Sequence, residues 1–184
     1  MSREMAVGNT FGATALSSYG GFWLSFAIIL TPGGFAIETG LAKISEATFL
    51  NSFGLYLMGW FIFTFILLIC TLRSTVAFFS LFFTLDMAFL LLGIGYLQND
   101  GAHPQGQCII AGGAFGLMAA FLAWYNALAG IADSSNRSVL FSILSWIHML
   151  TYPSFFVIPV AHFPWSDKGR ERREKVDNSA ARAA

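Results

Sequence analysis

Apolar and polar positions fall in long blocks along this chain rather than in short periods. Four apolar blocks, near 12–36, 53–72, 76–97 and 108–131, are separated by short polar gaps. A hydrocarbon core about 30 Å thick takes roughly 20 residues of helix to cross, so each block predicts a membrane-spanning helix. The first block carries Pro32-Gly33-Gly34 near its far end, where a helix kinks or stops. A polar loop over 38–52 is expected next. The gap between the second and third blocks is only Leu72-Arg73-Ser74-Thr75, which predicts antiparallel neighbours, and QNDGAHPQGQ joins the third to the fourth. The expected fold class is all-α, a polytopic transmembrane helix bundle with four clear spans over 1–136.

A fifth apolar stretch lies within 137–160, and charge decides how to read it. The tail over 161–184 holds six of the ten Lys and Arg residues, whereas the loop after the first span holds one, Lys43. Positively charged loops stay on the cytoplasmic side. With four spans, Arg3, Arg73, Arg137 and the tail share one face; a fifth span would send the tail outside. The 137–160 stretch, which also holds His148, Pro153 and Pro159, is therefore expected to be an apolar insertion or interfacial or re-entrant segment. The 161–184 stretch is expected to be a basic cytosolic tail, disordered and free to meet anionic lipid heads. Both termini are then cytoplasmic, and the plasma membrane is the expected location.

Composition agrees with a bilayer protein: 56% of the 184 residues are hydrophobic, 11% are charged and 20 are Phe. The net charge of zero says little about partners. Cys70 and Cys108 lack metal or disulfide spacing, and His103, His148 and His162 have no partner at ligand spacing. Trp60, Trp124, Trp146 and Trp165 read as interface or packing aromatics. No nucleophile and base pair, phosphate loop or cofactor box is visible, so neither an enzyme, a cofactor nor a nucleic-acid partner is expected. The N-terminus MSREMAVGNTFG lacks the basic region, apolar core and cleavage site of a signal peptide.

Chemistry concentrates at two places. The entry to the first span, GNTFGATALSSYGGFW, brings Asn9, Thr10, Thr14, Ser17, Ser18 and Tyr19 to the start of the bilayer, where hydroxyl and amide groups need partners or a wet pathway. Gly8, Gly12, Gly20 and Gly21 are expected to admit a neighbouring helix. The third span holds Asp86 at its midpoint, where a carboxylate costs about 2.5–3.5 kcal/mol on insertion scales. It should face the bundle interior, either as a proton carrier or as a structural partner for a Ser or Thr of the next helix. Asn9 and Asn126 can cap a helix or meet a carboxylate oxygen. In the fourth span Gly112, Gly116, Ala119, Ala123 and Ala127 form a small-residue stripe suited to packing or to lining a pore.

GNTFGATALSSYGGFWLSF resembles the third transmembrane helix of the acetate uptake transporter family, whose bacterial members are succinate-acetate permeases and whose fungal members include ammonia and acetate export proteins. The resemblance continues through GLYLMGWFIFTF, CTLRST, FFTLDMAFLLLGIG and AAFLAWYNALAGIA, and resumes at FFVIPVAHFPWSDKGRERREK. It implies a six-helix fold, a homo-hexamer in which each protomer has its own pore, and passage of acetate or similar small carboxylates with protons. It also implies that Tyr19 and Leu85 belong to a hydrophobic constriction and that Ala119 influences substrate size. The family's first two helices and the constriction Phe they carry have no counterpart here, and about 137–153 looks inserted. A start assigned downstream of the natural one and a retained intron are the expected explanation, which sequencing the transcript from its 5′ end checks. Two functions follow: a membrane transporter or channel for short monocarboxylates, or a non-conducting assembly partner of full-length relatives. The expected substrate pathway is Asn9, Tyr19, Leu85, Asp86, Ala119 and Asn126.

Overall fold

The computed structural model describes residues 2–6, 8–32, 35–131, 163–166, 168 and 170–175. The principal elements are α1 (Ser2–Ala6), α2 (Thr10–Leu30), α3 (Ile37–Ala42), α4 (Glu46–Cys70), a 3-10 turn over Thr71–Arg73, α5 (Val76–Leu97) and α6 (Gly106–Ile131). Among the described residues, four helical stretches are long and apolar enough to cross a membrane: α2, α4 with its 3-10 extension, α5 and α6. The four apolar blocks thus correspond to four helices.

Two boundaries differ from the sequence expectation. α2 ends at Leu30 instead of running to residue 36: Thr31 is extended (φ −79°, ψ 115°), the conformation that a following proline imposes. Its amide and hydroxyl both donate to the Ala27 carbonyl, at 2.9 and 2.6 Å, so Pro32 marks a stop and not a kink. The polar loop expected over 38–52 is largely helical, since α3 occupies part of it and α4 begins at Glu46. Glu46 lies in the first turn of α4, where a carboxylate meets the positive end of the helix dipole. Leu50 is buried and Phe49 stacks on Phe53 at 5.7 Å, so packing carries the helix back into polar sequence.

The chain divides into two compact units, Met1–Gly59 with Leu91–Ile110, and Trp60–Leu90 with Ala111–Ala184. In the first, α4 and α5 are antiparallel and close: a methyl on Gly54 would lie 2.8 Å from Leu97 Cγ, and one on Gly93 would lie 2.8 Å from Met58 Sδ. α2 joins them through rings, Phe22 stacking on Tyr56 at 5.9 Å and Phe26 tilting on Phe53 at 5.7 Å. The Tyr56 hydroxyl lies 2.7 Å from Ser25 Oγ, which also donates to the Phe22 carbonyl. Asn99 Nδ2 donates to Asn51 Oδ1 at 2.8 Å and ties the α5–α6 loop to α4. In that loop the amides of His103 and Ala102 donate to Asp100 Oδ1 at 2.6 and 2.9 Å and hold its carboxyl below the usual carboxylate range.

In the second unit α6 lies against the start of α5, where Asn126 Nδ2 reaches the Ala77 carbonyl at 3.3 Å. Residues 163–166 return to the same end: Trp165 Nε1 donates to the Leu72 carbonyl at 2.8 Å, and Phe163 meets Phe79 edge-on at 5.5 Å. Residues 170–175 are helical, which corrects the expectation of disorder for that part of the tail. The 137–160 segment lies outside the described residues.

Large apolar side chains point outward: Trp23, Leu24, Ile110, Leu117, Phe121 and Trp124 are each 64–75% exposed in the single chain. In water such faces would need cover, whereas lipid accepts them. Four apolar helices with outward apolar faces make this a multi-pass membrane protein.

Candidate transport site

Each candidate residue sits in a definable local environment. Asn9 is the N-cap of α2: its Oδ1 accepts the Gly12 amide at 3.0 Å, and its Nδ2 donates to Glu4 Oε2 at 2.6 Å. The amide side chain thereby satisfies one of the orphan donors of the helix start. Gly12 is required for this, because a Cβ there would lie 2.6 Å from Asn9 Nδ2. Thr14 and Ser17 return their hydroxyls to the backbone, at Thr10 and Ala13 respectively. The hydroxyl-bearing entry of α2 is therefore in part self-satisfied. Tyr19 is half-buried on the same helix. Gly20 and Gly21 meet no neighbouring atom among the described residues, contrary to the expected close helix approach. α2 instead buries Ala13, Ala15 and Phe22.

The second unit holds Leu85, Asp86, Ala119 and Asn126. Leu85 is half-buried, and Ala119 is buried. Asn126 spends its amide on the carbonyls of Leu122, at 2.7 Å, and Ala77, and so fastens α6 to α5. Antiparallel helices rise together at about 1.5 Å per residue, so the pairing of Asn126 with Ala77 brings Ala119 to the level of Thr84 and Leu85, next to Asp86. The small-residue stripe turns the same way over most of its length: Gly112 and Ala119 are buried, Gly116 and Ala123 half-buried, and Ala127 is exposed. Tyr19 and Asn9 belong to the first unit.

Asp86 is the sharpest feature. The residue is 1% exposed, and neither carboxyl oxygen has a hydrogen-bond partner among the described residues. Thr84, its nearest hydroxyl in sequence, donates to the Ser80 and Leu81 carbonyls at 2.9 and 3.0 Å and makes no bond to the carboxyl. Buried polar groups are almost always paired, because an unpaired one loses its hydration without compensation. Such a group can exchange a proton or bind a hydrogen-bonding solute with no competing protein contact to break. No group of three or more His, Cys, Asp or Glu side chains suited to a metal ion occurs among the described residues.

Sequence reasoning gave no role to Tyr56, whose hydroxyl sits at the α2–α4 contact, and read Trp165 as an interface or packing aromatic without its bond to Leu72. For Trp165 the available signal was a Phe-Pro-Trp-Ser turn followed at once by a basic run.

Comparison with known proteins supplies the lineage. Residues 2–165 match the GPR1/FUN34/yaaH family. Acetate permease A of Emericella nidulans is 67% identical over 177 residues, which cover 95% of this chain and 54% of that protein. The Meiotically up-regulated gene 86 protein of Schizosaccharomyces pombe is 46% identical over 166 residues, covering 90% and 48%. The Succinate-acetate/proton symporter SatP of Escherichia coli is 36% identical over 139 residues, covering 74% and 67%. The chain spans about half the length of the first two of these relatives. No solved structure matches it. With the family profile covering all four membrane-capable helices, the chain belongs to the GPR1/FUN34/yaaH family.

Proposed function

We propose that this chain moves acetate and similar short monocarboxylates across a membrane together with protons. The observation that carries the reading is its 67% identity to a protein named acetate permease A over 95% of the chain. Proton coupling draws support from the name of the bacterial relative, a succinate-acetate/proton symporter, and from the buried Asp86, whose carboxyl has no hydrogen-bond partner among the described residues. In this reading Tyr19 and Leu85 each serve as apolar pathway residues that exclude hydrated ions by the cost of desolvation, and Ala119 sets how wide a substrate passes. Asp86, next to Leu85, takes the proton: ionised it repels a carboxylate anion, and protonated it donates to one. Asn9 and Asn126 hold the helices that carry the pathway in place. Both termini are cytoplasmic, the membrane is the plasma membrane, and copies assemble as a hexamer.

Uptake of labelled acetate into vesicles containing only this chain tests the proposal. Saturable uptake that collapses when the proton gradient is dissipated is the expected result. A second reading is that the chain joins relatives of its family without conducting. No uptake by the chain alone, combined with its co-purification with a full-length relative, would favour that second reading. No uptake and no association would defeat both.

A further inference from the structure

We infer that the Phe163–Ser166 turn is a clip that pins the following basic segment against the α4–α5 turn, and that the pinned segment binds anionic phospholipid headgroups of that leaflet. The inference stands apart from any transport activity.

The clip is built from several contacts. The Leu72 carbonyl, at the 3-10 end of α4, accepts the Trp165 indole N–H across 93 residues of chain. Carbonyls at a helix end have no partner within the helix, so this bond supplies one. Phe163 packs its edge on Phe79 and stacks on Trp165 at 4.8 Å, so the two rings fill one seat at the start of α5. Ser166 is 2% exposed, and its amide and hydroxyl both donate to the Phe163 carbonyl, at 3.0 and 2.7 Å. The helical segment that follows is joined to this turn twice. The Arg170 amide donates to the Ser166 carbonyl at 2.9 Å, and the Arg173 guanidinium donates to the Pro164 carbonyl at 2.5 Å.

What the clip presents is charge. Lys168, Arg170, Arg172, Arg173 and Lys175 are all exposed and outnumber the equally exposed Glu171 and Glu174, and Arg73 is exposed in the turn to which the clip is fastened. Trp165 is 54% exposed at the end of a membrane-capable helix, the position where an amphipathic indole sits at headgroup level. A loose basic tail would spend most of its time beyond a Debye length from the membrane; one pinned at the helix end stays within reach of the phosphates. Each Lys or Arg near an anionic surface contributes about 1 kcal/mol, so a fixed group of them discriminates strongly between charged and zwitterionic lipid.

The test is amide hydrogen exchange of 170–175 in the full chain, in nanodiscs of phosphatidylcholine alone and in discs that also hold phosphatidylserine. Exchange should be slower by tenfold or more in the anionic discs, roughly the effect of one to two basic contacts. The difference should vanish at about 1 M salt, where the Debye length is about 3 Å. Replacing Arg170, Arg172 and Lys175 together by Gln should weaken the lipid dependence severalfold while leaving Trp165 seated, since Arg173 is kept. Trp165→Phe keeps the ring but removes the donor to Leu72, and should speed exchange in both kinds of disc. Equal exchange in the two disc types, or a lipid dependence unchanged in the triple variant, would overturn the inference.

Discussion

Gly54 of α4 and Leu97 of α5 approach so closely that a methyl on the glycine would sit 2.8 Å from Leu97 Cγ and 3.1 Å from its backbone nitrogen. The leucine tip can rotate aside, but the backbone atom cannot. Gly54→Ala should therefore push α4 and α5 apart and destabilise the protein by about 1–3 kcal/mol, the usual cost of overpacking. A methyl on Gly59, on the same helix, would meet nothing within 4 Å among the described residues, so Gly59→Ala should be neutral or slightly stabilising. Thermal unfolding of both variants in detergent checks the contrast; equal melting temperatures would contradict it.

The helices themselves were legible because the bilayer imposes a length and a composition that any 20-residue apolar run announces. Their ends were not. Glu46 starts α4 inside what reads as a polar loop, because a favourable first-turn charge and the burial of Leu50 outweigh local polarity. The site was legible in part. Asp86 stands out in sequence as the lone charge within an apolar block, yet whether it has a partner depends on where every neighbouring hydroxyl points, and Thr84 turns to its own backbone. The glycines of α2 misled for a related reason. A missing side chain permits close approach but does not compel it, and a Cβ at Gly20 or Gly21 would meet nothing within 4 Å among the described residues.

Asp86→Asn tests the proton role with little change of shape. Asparagine keeps the size of the side chain and a hydrogen-bond donor but cannot titrate. If the carboxyl carries the proton, acetate uptake by the variant should persist in part and lose most of its dependence on external pH. Uptake by wild type and variant across acid to neutral pH decides the matter. A variant profile parallel to wild type would remove Asp86 from the proton pathway.

The Asp100 loop should show acid sensitivity of its own. Its carboxyl is held below the usual carboxylate range, chiefly by the His103 amide and then by the Ala102 amide. A group whose folded pKa is lowered favours the folded loop above the unfolded value, about 3.9, and that contribution disappears as pH falls through the folded value. Protection of the Ala102 and His103 amides, measured against their intrinsic exchange rates, should therefore fall in acid, below about pH 4, and be present at neutral pH. Asp100→Asn should show weaker protection at neutral pH and no such acid step. Protection unaffected by acid in the wild type would contradict this account.

The described chain on either side of the 132–162 stretch meets one end of the second unit. α6 runs back toward the start of α5, where Asn126 meets Ala77, and Trp165 is bonded to Leu72 at that same end of the second unit. A single crossing between residues 132 and 162 would put Asp133 and Lys168 on opposite faces of the membrane; an interfacial or re-entrant segment keeps them on one. In a background with Cys70 and Cys108 replaced, single cysteines at Arg73, Asp133 and Lys168 should all react with an impermeant maleimide from one face. A cysteine at Ala102, in the loop at the far end of α5, should react from the other. Labelling of the Lys168 position together with Ala102, and not with Arg73, would mean that the segment crosses the membrane after all, and would also break the contact between Trp165 and Leu72.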